Sequence, residues 1–366
     1  MKRIALTGGG TGGHIYPLIA VAEHLTECEC RYFGPRTPFS EAIEKAGMRI
    51  SPIASAKMRR YVSLMNAVDG IKFLWSIGQA LVKIGIFWPH AAFSKGGPGA
   101  LPVLIACRLY GVPIIVHESD SVPGLVNRIT GKWAKIVELG WEGAAQWFSN
   151  KETRVIGVPL RMETMQWAKS DPREAKSALG LDPEKPALFV TGGSQGSARI
   201  NELIMEILPE LLTEYEVIHQ IGSATYGKCM ERLGTMEKEL SDGRRANYRA
   251  SAFMGRDMGK AYAAADCVIS RAGSAIFEIA AYGKPSILIP LPEAANDHQR
   301  MNAEKYAATG AAIMLEEKDM TPESLKSAIK KAIENRETMG SAALAFAKPE
   351  AAQAIAGDIM RIVGSI

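Results

Sequence analysis

The sequence predicts an α/β protein of two domains, each built on a doubly wound, mostly parallel sheet. Three observations lead there. Apolar strand-like runs alternate with helical patterns along most of the chain. The tripeptide Thr-Gly-Gly occurs at 7–9 and again at 191–193, each time after an apolar strand and before a helix. The 366 residues are too many for one ordinary domain and suit two.

The first element is the strand Ile4–Leu6, which runs into Thr7-Gly8-Gly9-Gly10-Thr11-Gly12-Gly13-His14. Glycines let the backbone approach a ligand closely, and the N–H groups that open the next helix favour an anion. The apolar periodic run Ile15–Leu25 leads out of the turn, and a helix is expected over Pro17–Leu25. A Walker A loop would need Lys and Ser/Thr after the last glycine; His14 and Ile15 stand there instead. Gly8, Gly10 and Gly13 satisfy the G-x-G-x-x-G dinucleotide spacing, but the second strand ends in Gly34-Pro35-Arg36 without the acid that would bind a ribose. A tight turn with no ligand is the bland alternative, and His14 alone would more often be structural than catalytic.

Further elements follow in order. Strands are expected at Arg31–Phe33 and Arg49–Ile53 around a helix at Phe39–Ala46. After the basic residues Lys57, Arg59 and Arg60 comes a long apolar segment, Asn66 to Trp88. Ala91–Ser94 reads as a buried strand that ends in Lys95-Gly96-Gly97-Pro98-Gly99. Helix Leu101–Tyr110 and strand Pro113–His117 come next, with Glu118, Ser119 and Asp120 just beyond. In such sheets ligands sit at the carboxyl ends of the strands, where all three polar clusters fall. The pattern resets over Val155–Arg161. A second series then runs through helix Pro172–Leu179, strand Pro186–Val190, strand Val217–Ile221, strand Cys267–Ser270, helix Ser274–Tyr282 and strand Ser286–Pro290, to a last helix over Pro349–Val363.

Composition sets limits. Apolar residues make up 47% and charged residues 22%, a globular balance. A net charge of +4 is too small for a nucleic-acid binder but suits an anionic ligand or membrane surface. Five cysteines without a second close pair indicate neither a zinc site nor a disulfide framework, and a reducing cytosol is the simplest setting. No signal peptide and no uncharged apolar run of spanning length is expected.

Two stretches of the second half suit a nucleotide sugar. Ser270-Arg271-Ala272-Gly273-Ser274 gathers backbone N–H groups and hydroxyls at a helix start, as a phosphate requires, with Glu278 one turn on for ribose hydroxyls. A capped helix with a solvated Glu278 is the alternative. Asn296-Asp297-His298-Gln299 with Asn302 offers donors and acceptors suited to a neutral sugar.

Taken in order, the first glycine loop, Lys95-Gly96-Gly97, His117-Glu118-Ser119-Asp120, Thr191-Gly192-Gly193-Ser194-Gln195-Gly196, Arg271-Ala272-Gly273-Ser274 with Glu278, and Asp297-His298-Gln299 with Asn302 resemble the MurG family over almost the whole chain. The resemblance implies a GT-B glycosyltransferase: two Rossmann-like domains facing across a cleft, at 1–158 and 159–345, with the helix of 346–366 packing back on the first. It implies inverting transfer of GlcNAc from UDP-GlcNAc to the 4-hydroxyl of the MurNAc-pentapeptide of lipid I, giving lipid II for peptidoglycan synthesis. No cofactor is expected, and the chain has no Asp-x-Asp metal motif.

The resemblance also implies residue roles. His14 is the base, with Glu118 orienting it or replacing it. Thr11, Gly12, Gly13, Arg161, Ser194, Gln195, Phe253, Met254, Gly273, Ser274, Glu278, His298 and Gln299 contact the donor, Phe253 and Met254 at the uracil. Gly9, Gly10, Lys95, Gly96, Gly97, Asp120 and Asn127 contact the acceptor, whose diphosphate the first loop receives. His298 stands where the family often has Gln, Asp120 where many members have Asn, and Gly97-Pro98-Gly99 replaces the usual Gly-Tyr/Phe-Val.

The implied partners are UDP-GlcNAc, lipid I, an anionic membrane surface and other cell-wall enzymes, at the cytoplasmic face of the plasma membrane. The Ile71–Trp88 stretch would be the membrane face, an ordinary core helix being the alternative. A GT-B enzyme on another lipid or small-molecule acceptor, a nucleotide-sugar-binding regulator, a UDP-sugar epimerase and a dehydrogenase are the competing readings.

Overall fold

The computed structural model describes residues 1–55, 65–193, 195–236, 240 and 243–365. Lys57, Arg59, Arg60 and Ser194 lie outside these described residues. The chain divides into two compact units, Met1–Met162 with Lys348–Ile366, and Glu163–Ala347. Arg161 therefore belongs to the first unit.

Unit 1 runs β1 (Lys2–Thr7), α1 (Gly12–Ala22), β2 (Cys28–Gly34), α2 (Ser40–Lys45), β3 (Arg49–Pro52), α3 (Met65–Phe87), β4 (Ala91–Ser94), α4 (Leu101–Leu109), β5 (Ile114–Glu118), α5 (Leu125–Thr130), β6 (Ile136–Leu139) and β7 (Thr153–Val155). Among the described residues its sheet is parallel with order β3-β2-β1-β4-β5-β6-β7. The order reverses beside β1, and such a switch point opens a crevice at the carboxyl ends of β1 and β4. The central strands carry continuous apolar runs because helices cover both faces of the sheet. Ile4, Leu6, Phe93 and Ile115 pack on one face, and Ala5, Ala92, Ile114 and Val116 on the other.

Helix α1 begins at Gly12, five residues before the proline expected to start it. The N–H groups of His14 and Ile15 donate to Thr11 O at 3.0 and 3.1 Å and close the first turn. Pro17 consequently sits inside the helix, where it leaves the Gly13 carbonyl without its usual partner.

Helix α3 has two faces. Ala80, Ile84 and Phe87 enter the core, while Ile71, Leu74, Trp75, Val82 and Ile86 are exposed at helical spacing. Its residues Asp69–Phe87 reach the length and mean hydropathy, 1.3, of a bilayer-crossing helix, although the run is not uncharged. Lys72 and Lys83 lie within it. The core contacts of its other face give α3 a place on the surface of unit 1.

Unit 2 runs α6 (Met162–Met165, entering from unit 1), α7 (Pro172–Ala178), β8 (Ala187–Thr191), α8 (Ala198–Glu214), β9 (Glu216–Gln220), α9 (Tyr226–Thr235), β10 (Tyr248–Ser251), α10 (Met258–Ala264), β11 (Cys267–Ser270), α11 (Ala275–Ala281), β12 (Ser286–Leu288), α12 (His298–Ala307), β13 (Ala312–Met314), α13 (Pro322–Glu334) and α14 (Arg336–Phe346). Its parallel sheet has the order β10-β9-β8-β11-β12-β13 among the described residues, with β8 where β1 stands in unit 1. The echoed Thr-Gly-Gly thus marks equivalent places in two similar sheets.

The last helix, α15 (Ala351–Gly364), returns to unit 1 and packs Ile355, Ile359 and Val363 against α1 and β4. A buried polar cluster accompanies it. Asp358 of α15 pairs with Arg154 of β7 and with Arg361, beside fully buried Glu138 of β6. Burial, then the neighbouring Asp358, pushes the Glu138 carboxyl up to about 9. A folded-state value above the unfolded one means that the native state holds an extra proton between them. The resulting stability is fully present below pH about 4.5 and is lost as pH rises towards about 9. Urea unfolding midpoints should therefore fall from pH 6 to pH 9 in the native protein, and fall clearly less in Glu138→Gln.

Candidate active site

In unit 1 the carboxyl ends of β1, β4 and β5 bring most of the expected acceptor residues together. Thr11 ends the glycine loop with extended backbone, and its Oγ1 pairs with His14 Nδ1 at 2.7 Å. The ring lies over Gly9, where a Cβ would come within 3.0 Å of Nδ1. With Nδ1 occupied, Nε2 is left for chemistry; it faces the 95–97 loop, 3.2 Å from where a Cβ on Gly97 would stand. Although partly exposed, the ring is crowded by its neighbours. Burial, then the charge of Lys95, lower its pKa to about 4, against a raising effect of Asp120. The imidazole is neutral at neutral pH.

Gly96 and Gly97 have φ of +75° and +86°. A Cβ on Gly96 would sit 2.3 Å from Asn127 Oδ1, and one on Gly97 would sit 2.7 Å from Gly9 Cα. Both positions need glycine for conformation and for space. The Gly97-Pro98-Gly99 departure has a physical reason as well: Pro98–Ala100 forms a 3₁₀ turn, and a Cβ on Gly99 would press to 2.9 Å from Pro35 Cδ.

Glu118 is buried and saturated. Its Oε1 accepts from Asp120 N at 2.9 Å; its Oε2 accepts from Gly124 N at 3.1 Å and from Asn127 Nδ2 at 2.9 Å. His14 Nδ1 is held by Thr11, so the orienting role expected of Glu118 falls to Thr11 instead. Glu118 organises the 120–127 loop. Burial first, then Asp120, raise its pKa, while its hydrogen bonds and Lys95 oppose the rise. Asn127 also donates to His117 O at 3.1 Å, and its buried Oδ1 has no protein hydrogen bond. Lys95, expected to meet the acceptor, turns inward to His117 and Ser119. Arg161 stacks on Tyr16 of α1, 4.0 Å from the ring centre.

In unit 2 the second glycine loop leads into α8, whose N-terminus is capped by the Ser197 hydroxyl. Gly196 has φ of +82°, and a Cβ there would lie 2.0 Å from Ile221 O. The loop is tied down by Gln220, which the motifs did not single out, and by Arg271, which they included without a role. Gln220, buried at the end of β9, donates to Thr191 Oγ1 at 3.2 Å and Gly193 O at 3.1 Å, and accepts from Met254 N at 3.2 Å. Arg271 donates to Ser197 Oγ at 2.6 Å and to the carbonyls of Ile289 and Pro290, and pairs with Glu317. Polar residues at strand ends were the signal available for both.

Phe253 is 46% exposed and offers a ring face beside Met254. The Met254 main chain is engaged on both sides, its N–H by Gln220 and its carbonyl by Asp257 N at 2.9 Å. Glu278, in the second turn's reach of Gly273 and Ser274, accepts from Tyr262 at 2.8 Å. Ser274 makes no capping bond, and α11 behind it is seven residues long. Asn296 and Asp297 both take left-handed backbone, φ 54° and 55°, before α12 presents His298 and Gln299. His298 Nδ1 then pairs with Ala295 O at 2.7 Å, and Gln299 Oε1 accepts from Leu291 N at 3.0 Å. Among the described residues no group of three or more His, Cys, Asp or Glu is arranged to hold a metal ion.

Comparison with known proteins gives this arrangement its family. Residues 4–138 match the N-terminal domain of glycosyltransferase family 28, and residues 187–356 its C-terminal domain. A Bacillus cereus protein named UDP-N-acetylglucosamine--N-acetylmuramyl-(pentapeptide) pyrophosphoryl-undecaprenol N-acetylglucosamine transferase 2 is 35% identical over 97% of this chain and 98% of its own length. An Exiguobacterium sibiricum transferase of the same name is 31% identical over 99% of both chains. The chain belongs to the MurG family. The crystal structure of Acinetobacter baumannii MurG has a TM-score of 0.74 at 26% identity, covering 99% of this chain and all of that one. MurG proteins have the GT-B fold, which a UDP-GlcNAc 2-epimerase of Neisseria meningitidis shares at a TM-score of 0.69 and 11% identity, a likeness of fold alone.

Proposed function

We infer that this chain transfers GlcNAc from UDP-GlcNAc to the 4-hydroxyl of the MurNAc-pentapeptide of lipid I, forming lipid II, by a single inverting displacement. Family membership over the full length supports the reaction. The observation that carries the mechanism is His14 on the first glycine loop: Thr11 fixes one ring nitrogen and leaves Nε2 to take the acceptor proton. In the ligand-free protein burial and Lys95 make His14 a weak base. An anionic diphosphate held at the glycine loop raises the imidazole pKa, so basicity increases when the acceptor is bound.

Unit 2 handles the donor. The N–H groups opening α8, with Ser194 and Gln195 before them, together with Gly273 and Ser274, receive the charge that grows on the UDP leaving group. This supply of positive potential removes the need for a metal, so a saturating chelator leaves turnover unchanged. Phe253 and Met254 take the uracil, Glu278 the ribose, and His298 and Gln299 the GlcNAc. Product analysis by proton NMR tests the stereochemistry: a β-linked disaccharide is expected, and an α-linked one contradicts the single displacement.

The lipid carried by the acceptor brings the enzyme to the cytoplasmic face of the plasma membrane as a peripheral protein. The exposed stripe Ile71, Leu74, Trp75, Val82 and Ile86 suits the interface, with Lys72 for anionic headgroups. Replacing Leu74 and Trp75 by glutamate removes two apolar anchors of about 2 kcal/mol each. Co-sedimentation with phosphatidylglycerol vesicles should fall at least about tenfold, while the circular dichroism spectrum and UDP binding stay unchanged. Undiminished binding by the folded variant rules this surface out.

A further inference from the structure

Lys95 differs from its neighbours in the candidate acceptor site because its charge points away from solvent. The residue is 3% exposed. Its Nζ donates to His117 Nδ1 at 2.5 Å and to the Ser119 hydroxyl. An Nδ1 that accepts leaves the imidazole proton on Nε2, which donates to the Gly157 carbonyl at 2.8 Å. Gly157 lies in the connection that leaves unit 1. Its φ is +84°, and a Cβ on it would come within 2.7 Å of Lys348 Cβ, where the chain re-enters the unit.

The backbone around Lys95 binds the same region to the first glycine loop. Lys95 N donates to Thr7 O at 3.0 Å, and Gly97 packs against Gly9 under the His14 ring. The buried ammonium therefore stands at the root of the shelf that carries His14.

We propose that Lys95 is a positioning residue for the transfer reaction: its buried ammonium locks His117 onto the Gly157 carbonyl and sets a positive charge at the root of the shelf that carries the His14 imidazole. The acceptor's diphosphate then offsets that charge, so the base gains strength on acceptor binding rather than before it. The titratable groups facing this cluster are His14 from α1, Lys95 after β4, and His117, Glu118 and Asp120 at the end of β5. Their balance agrees with the geometry. After burial, Lys95 is the next cause lowering both His14 and His117, whereas Asp120 acts the other way on His14. Burial lowers Lys95 itself to about 7 while Glu118 and Asp120 support its charge, so the ammonium is present through the acid limb where His14 titrates.

This inference rests on His14 as the base, and its test separates the two ideas. The test compares the wild type, Lys95→Met and Lys95→Arg in kcat/KM against pH with a soluble lipid I analogue, and in imidazole titration by ¹⁵N NMR. In Lys95→Met the His14 titration and the acid limb of kcat/KM should both move up by about one pH unit or more. In Lys95→Arg both should stay near the wild-type position, whatever its rate. A structural role alone would lower the rate equally at every pH. An unmoved His14 titration in folded Lys95→Met overturns the proposal. A moved titration with an unmoved kinetic limb upholds Lys95 as the source of the charge and removes His14 as base. Should Lys95→Met fail to fold, the wild-type spectrum decides: His117 must be the neutral Nε2–H tautomer near pH 7, and an Nδ1–H signal overturns the proposal.

Discussion

Replacing His14 by alanine lowers kcat by about 100- to 10,000-fold, the range spanned by a lost general base, while the affinity for UDP-GlcNAc stays within about twofold. The split follows from where His14 sits. Its contacts are Thr11, Gly9 and the 95–97 loop of unit 1, whereas the loops proposed to hold the uracil, ribose and GlcNAc of the donor belong to unit 2. The pH dependence sharpens the expectation. Because burial and Lys95 lower the free imidazole to about 4, the acid limb of wild-type kcat/KM that belongs to His14 lies well below the usual histidine range. Isothermal titration with UDP and initial-rate kinetics with a lipid I analogue measure the two halves. Near-wild-type turnover by folded His14→Ala, with donor binding intact, shows that another group takes the proton.

Gly196→Ala abolishes donor binding at any practical concentration, with a loss of at least about 100-fold in UDP affinity. Two penalties coincide at this position. The φ of +82° is strained for alanine, and the added Cβ would stand 2.0 Å from the Ile221 carbonyl. The loop must shift as a whole, and it takes the N-terminus of α8 with it. Unfolding experiments should show a cost of about 2–4 kcal/mol. Gly193→Ala is the control within the same loop. Its φ is +84°, but a Cβ there meets nothing within 4 Å, so only the conformational cost of about 1 kcal/mol applies. A Gly196→Ala protein no worse than Gly193→Ala would show that close packing of the loop on Gly222 is not what shapes the donor site.

The parts of this molecule that repeat a short-range rule were legible in its sequence. Strand, glycine turn and helix at Thr7–His14 and at Thr191–Ser197 follow from apolar runs and from glycine placement, and both sheets have these turns at their central strands. The short strands β6, β7, β10 and β13 are not marked in the sequence; their pairing, as in His117 opposite Glu138, is decided by distant chain. The start of α1 lies earlier than the apolar pattern marks because the Thr11 carbonyl accepts from His14 and Ile15 N–H within the glycine stretch. At the site, residue types announced His14, Lys95 and Glu118, but direction was hidden. Only the folded chain turns the Lys95 ammonium inward, saturates Glu118 with loop N–H groups, and hands the orientation of His14 to Thr11. Gln220 and Tyr262, and the bracing role of Arg271, are hidden in the sequence for a related reason: each acts by joining different elements of the fold.

The most direct test of the account is acceptor-dependent turnover of labelled UDP-GlcNAc, in parallel with a lipid I analogue and with soluble aglycones. The expected result is one UDP released for each GlcNAc transferred to the 4-hydroxyl of the muramyl sugar, with no release without acceptor and no transfer to the soluble compounds. Free sugar formed without acceptor, or transfer to a soluble aglycone while the lipid I analogue stays unmodified, would contradict it.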